Sequence, residues 1–165
     1  MKRPVPVESV QSSVQAVLSL ATLAVLWLAV DLNSIQDQLG VLLAVLAVFN
    51  VVASLWLVPR PVDLARHALM ATALTLLLGA PLAKHHLRTL ALGVLLGVRF
   101  TSLLSALPTV PRITSALAVA AALTWVASIL YALDWDVWWQ TYPYPTVVAA
   151  EVGILVGWIV ERVIG

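Results

Sequence analysis

The 165-residue chain is 62% hydrophobic and 10% charged, with nine basic and eight acidic residues, a net charge of +1 and no cysteine. Soluble domains of this size carry about 25% charged residues, so this composition cannot cover a water-facing surface and points to lipid as the solvent. The charge balance leaves no basic footprint for nucleic acid. The absence of cysteine excludes disulfides, thiolate nucleophiles, Fe–S clusters and Cys-ligated zinc, and leaves the redox compartment open.

After a short N-terminal segment, 1–13, six apolar runs follow in order: Val14–Val30, Leu39–Val58, His67–Ala83, Thr89–Leu107, Ile113–Leu133 and Thr146–Ile164. Each is about as long as the roughly 20 residues that cross a hydrocarbon core of about 30 Å. Only helices and closed barrels satisfy the backbone in lipid, and continuous rather than alternating apolarity reads as helix. Pro59, Pro61, Pro108, Pro111, Pro143 and Pro145 all fall in the breaks, and Pro81 falls in the last turn of the third run. Proline lacks an amide hydrogen and disfavours helix in the residue before it, which supports these boundaries. The expected fold is an all-α polytopic bundle of about six membrane helices forming one domain over 14–164. A five-crossing arrangement with a re-entrant segment around Lys84–Thr89 fits the same pattern.

Basic residues set the orientation. Lys2, Arg3, Arg60, Arg66, Arg112 and Arg162 fall on one side, against Lys84 and Arg88 on the other. Both termini are therefore expected in the cytoplasm, with the protein in a plasma or inner membrane. The first run is too long for a signal-peptide core and lacks a small-x-small cleavage site, so it reads as a retained helix.

The opposite side carries Asp31, Asp37, Lys84, His85, His86, Arg88 and the segment from Asp134 to Pro145. In that segment Trp135, Trp138, Trp139, Tyr142 and Tyr144 form an aromatic cluster. Amphipathic rings gather at membrane interfaces, and rigid aromatics also anchor ligands and partner chains. The cluster fits either role.

Three short matches suggest an internal echo: Leu39–Leu43 with Leu92–Leu96, Val58–Arg60 with Val110–Arg112, and Ala73–Thr75 with Ala122–Thr124, at offsets of 53, 52 and 49. A parallel hairpin repeat of the kind found in transporters would pack the second and third runs like the fourth and fifth. Chance matches are frequent among segments so rich in Leu, Val and Ala.

Arg99 lies near the middle of the fourth run, where a charge costs at least about 2.5–3.5 kcal/mol in lipid. Its natural partner is Glu151, the carboxylate well inside a run. At 1.5 Å per residue the two levels differ by roughly 7–8 Å, which two long side chains can bridge. The same two runs carry the Gly-x-x-x-Gly pairs Gly93/Gly97 and Gly153/Gly157, which permit close backbone approach. The fourth and sixth runs are thus expected to pack together over the ion pair. The pair serves either as a register-fixing structural bridge or, with Asn50 of the second run, as an anion or proton site.

His67, His85 and His86 do not have metalloenzyme spacing. His67 lies about 27 Å along the helix from the other two, which leaves His85 and His86, with a nearby aspartate, as the weak metal candidates. No nucleophile elbow, Walker loop, zincin helix or selectivity filter is present. The expected function is non-enzymatic: a structural or accessory subunit of a larger membrane complex, in contact with lipid and with other chains or copies of itself. A small-solute transporter with the aromatic loop above an Arg/Glu site is the second reading, and a redox or metal protein a distant third. No cofactor is predicted.

Overall fold

A computed structural model describes residues 7–31, 35–55, 60–77, 80–104, 113–133 and 137–164. The described residues form an all-α bundle of six helices: α1 (Val7–Asp31), α2 (Ile35–Leu55), α3 (Pro61–Leu77), α4 (Leu82–Leu104), α5 (Ile113–Ile129) and α6 (Tyr144–Ile164). Single 3₁₀ turns at Leu130–Ala132 and Trp138–Gln140 lie between α5 and α6. One window among the described residues, Gln38–Leu55, is long and apolar enough to cross a membrane by length and composition, with a mean hydropathy of 2.2 over 18 residues. Ser13–Leu28, Ala118–Ala132 and Tyr144–Val160 are shorter apolar stretches.

Helix boundaries depart from the apolar runs in the middle of the chain. Lys84–Thr89, read from the sequence as a connection, is helical and belongs to α4. The break comes earlier, with Pro81 immediately ahead of α4 and Pro61 opening α3. Proline suits a helix start because the first-turn amides have no intrahelical partner to lose. His85 and His86 therefore sit in the opening turns of α4 rather than at the end of α3. The helix is kinked there: His85 has φ −135° and ψ 48°, while its amide still donates to Pro81 O at 2.8 Å. At the N-terminus, α1 takes in residues 7–13 of the segment expected to precede it.

The bundle is arranged around α4. Between Thr89 and Thr101 almost every described side chain of α4 is buried, on all sides of the helix. An all-round buried helix must be surrounded, and α2 and α3 lie along it while α1 and α5 touch it more briefly. On α2 the buried positions Leu39, Leu43, Leu46, Ala47, Asn50 and Ser54 recur at helical spacing and face α4. A cluster of Leu26, Leu43, Leu46, Leu92, Leu95, Val147 and Ala150 joins α1, α2, α4 and α6.

The expected packing of α4 on α6 through their glycines does not occur. These two helices have no extended backbone contact; α4 lies instead against α3, and α6 against α5 and α1. A methyl group at Gly93 would meet Thr72 Cα at 2.7 Å, and one at Gly97 would meet Ala68 N at 2.6 Å, both on α3. A methyl group at Gly153 would strike Ala120 of α5, and Gly157 is buried. Each glycine face seats the helix that precedes it in sequence, α3 for Gly93 and Gly97 and α5 for Gly153. Neither α2 with α3 nor α4 with α5 makes an extended contact among the described residues.

Polar groups are buried beside the apolar core, and large apolar side chains are exposed. Gln15, Ser19, Thr22, Asn50, Ser54, Thr89, Arg99, Thr101 and Glu151 are buried, whereas Trp27 is 73% exposed, Leu77 82% and Val163 79%.

Candidate functional site

The buried polar groups converge on Arg99. Helix α4 presents it toward α6 and α1, and the residue is 1% exposed. Nε donates to Glu151 Oε1 at 3.1 Å and Nη2 to Glu151 Oε2 at 2.7 Å, a two-point bridge. Nη1 donates to Gln15 Oε1 at 2.9 Å, and Nη2 also donates to Ser19 Oγ at 3.1 Å. The planar guanidinium matches the carboxylate fork, and charge-assisted bonds of this kind are about twice as strong as neutral ones. Bridging is achieved by side-chain length, as the helix backbones of α4 and α6 stay apart.

Gln15 and Ser19 are the members of this cluster that the sequence reading missed. With Thr22 they recur at four- and three-residue spacing on the otherwise apolar α1, so they share one helix face. That polar stripe was the available signal. Asn50, expected near the pair, does not join it: Nδ2 donates to Leu46 O at 2.8 Å within α2, and Oδ1 has no partner. An asparagine that bonds its own preceding turn has turned away from its neighbours. Gln15 Nε2 and Thr22 Oγ1 also lack partners.

At one end of the bundle the aromatic segment is pinned down rather than free-standing. Gln140 Nε2 donates to Leu130 O at 2.8 Å and Leu133 O at 2.7 Å, closing the end of the α5 extension. Tyr142 is the hub: Arg88 Nη1 donates to its carbonyl at 3.2 Å, its hydroxyl meets Thr89 Oγ1 at 3.3 Å, and its ring stacks on His85 at 6.2 Å. Tyr131 tilts against it at 5.8 Å, and Trp138 meets Tyr144 edge-on at 5.4 Å. Trp139 is half-buried, and Trp135 lies outside the described residues. Burial pushes the Tyr142 hydroxyl above its ordinary pKa of 10.0. His85 is held below its ordinary 6.5, first by burial and then by the charges of Arg88 and Lys84. His86 is exposed, and no three His, Asp or Glu side chains among the described residues converge as a metal site.

Beside this cap lies a cavity of about 660 Å³, lined by α3, α4, α5 and the start of α6. Its wall is mostly apolar, and neither Arg99 nor Glu151 contributes to it. The polar cluster and the cavity are thus separate features.

Comparison with protein-family models, curated proteins and solved structures finds no match to this chain.

Proposed function

We propose that the chain is a non-enzymatic integral membrane protein with six spans and both termini in the cytoplasm, acting as a structural or accessory subunit of a larger membrane complex. The observation that carries this reading is a buried ion pair inside a bundle with many exposed apolar side chains: Arg99 and Glu151 are each 1% exposed, while Trp27, Leu77, Val163 and other large apolar residues lie on the outside. Water-facing apolar surface on this scale is unfavourable at roughly 25 cal/mol per Å², and lipid or other apolar chains remove that cost. At 1.5 Å per residue the helices measure about 25–38 Å, which brackets a hydrocarbon core of about 30 Å.

Support for a structural over a transport role comes from the engagement of all three Arg99 nitrogens within the bundle. Its Nε, Nη1 and Nη2 are all engaged by Glu151, Gln15 and Ser19, and the cavity does not reach it. A solute-binding arginine needs donors facing a space.

Purification in mild detergent followed by native mass spectrometry tests the subunit role. Stoichiometric partner chains are expected; a chain that runs only alone or as a homo-oligomer overturns it.

A further inference from the structure

We propose that the interior between α1, α2, α4 and α6 binds water, held as a short buried file with Asn50 and Thr22 at one end and Gln15 at the other. The site goes beyond the subunit role and does not depend on it.

An apolar layer fixes the register. Leu26, Leu46, Leu95 and Val147 belong to one contiguous buried cluster and supply one residue from each of the four helices. Four residues along stand Thr22, Asn50, Arg99 and Glu151. Residues four apart share a helix face, so these four occupy the same interior one turn away. Arg99 bonds Ser19 and Glu151, which puts the steps on α1, α4 and α6 on one side of the apolar layer. Helices α1 and α2 are in contact and joined by three residues, so they run antiparallel. The backward step to Thr22 and the forward step to Asn50 therefore reach the same level.

Backbones do not close this interior. Helix α1 touches α2 and α4 only briefly, and α4 and α6 have no extended contact. Side chains fill the middle, and three of them carry a polar atom without a partner among the described residues: Gln15 Nε2, Thr22 Oγ1 and Asn50 Oδ1. These residues are 2%, 0% and 0% exposed. Buried water making about three hydrogen bonds is the common partner of such atoms.

The open atoms select the ligand. Gln15 Oε1 accepts from Arg99, so its open atom is a donor; Asn50 Nδ2 donates to Leu46 O, so its open atom is an acceptor. A cation cannot accept from Gln15, and an anion cannot donate to Asn50. Arg99 and Glu151 already balance each other, so a neutral ligand also leaves the charge of the layer unchanged. Water both accepts and donates, and the Thr22 hydroxyl fits either role. No direct bond joins Asn50 to the Arg99 cluster, and a third molecule supplies the link. From Thr22 to Gln15 is seven residues, about 10 Å along α1, which takes about three molecules at a spacing of about 2.8 Å. Ser19 lies between them on the same face. Water here also eases the burial of the ion pair, whose desolvation is costly.

Thr22→Val tests the site because it removes the hydroxyl and keeps the shape. With water bound, the variant loses one of its partners, and the unfolding equilibrium in mixed micelles shifts about fivefold toward the unfolded chain. In a dry layer the same change removes an unpaired hydroxyl, so a shift of zero or of opposite sign overturns the proposal. A second readout is water-to-amide cross-relaxation in the micelle-bound protein labelled with ¹⁵N in its glutamine side chains. The Gln15 amide, assigned by its loss in Gln15→Leu, is expected to show contact with long-lived water. Asn50→Leu or Thr22→Val lowers that signal at least twofold, although neither residue bonds Gln15. A Gln15 amide without water contact, or a signal unchanged in both variants, overturns the proposal.

Discussion

Arg99 Nη2 and Glu151 Oε2 stand 2.7 Å apart on two helices whose backbones have no extended contact. The bridge spans a gap that α1 fills from the side with Gln15 and Ser19. Three helices are therefore fixed relative to one another by one guanidinium.

Breaking the pair is expected to be costly in either direction. Arg99→Ala or Glu151→Ala leaves one buried charge uncompensated, worth about 3–5 kcal/mol. The double replacement costs much less than the sum of the two. Unfolding in mixed micelles measures this cycle, and additive losses mean the residues are not coupled.

Arg99→Lys separates the two readings of the site. Lysine keeps the charge but lacks the planar fork that bonds both Glu151 oxygens, Gln15 and Ser19 together. In a structural role it retains part of the stability lost by Arg99→Ala and leaves complex assembly in place. A variant that is fully stable and assembled yet inactive in solute flux points to transport.

Gln15→Leu removes the acceptor of Nη1, a bond to a charged group worth about 1.5–3 kcal/mol. It also removes an amide nitrogen that has no partner. The net loss in the same unfolding assay is expected to be well below that of Arg99→Ala. A loss as large as that of Arg99→Ala means Gln15 carries more of the cluster than its single bond allows.

Two glycine replacements should differ sharply. In Gly97→Ala the new methyl meets the α3 backbone, with Ala68 N at 2.6 Å and His67 O at 2.7 Å, and overpacking of this kind costs about 1–3 kcal/mol. In Gly40→Ala the nearest atom is the movable end of Leu87, 3.3 Å away. There the better helix propensity of alanine, about 0.8–1 kcal/mol, offsets the contact. Thermal unfolding of the pair shows whether α3 is seated on Gly97.

His85 gives a pH dependence with a defined sign. Its pKa is lowered in the folded protein from 6.5, so the unfolded chain binds the proton more readily. Its contribution is fully present above pH 6.5 and is lost as pH falls through the lower folded value. His85→Gln should flatten the decline in stability below pH 6.5, while the slope above it stays unchanged.

Some of this was legible in the sequence and some was not. The apolar runs located six helices, because length and apolarity need no knowledge of neighbours. Arg99 and Glu151 pointed to each other because they are opposite charges deep in apolar runs. Gln15 and Ser19 escaped notice because neutral polar residues are common in such helices and only their spacing marks a shared face. The glycine pairs signalled close approach but not the partner. The small residues Ala68, Thr72 and Ala120 on the preceding helices held that information. The start of α4 was misplaced because Lys84–Arg88 is polar, and polarity was read as connection when Pro81 marked the true break.

The location of Arg99's partners also fixes an order of manufacture. Gln15 and Ser19 leave the ribosome long before Arg99, and Glu151 follows it by 52 residues. Throughout the interval the new arginine has its two neutral acceptors from α1 but not the Glu151 carboxylate. A chain truncated before α6 is expected to leave Arg99 without its buried counter-charge and α4 less firmly seated. Helix α6 closes the charge balance that α1 prepares.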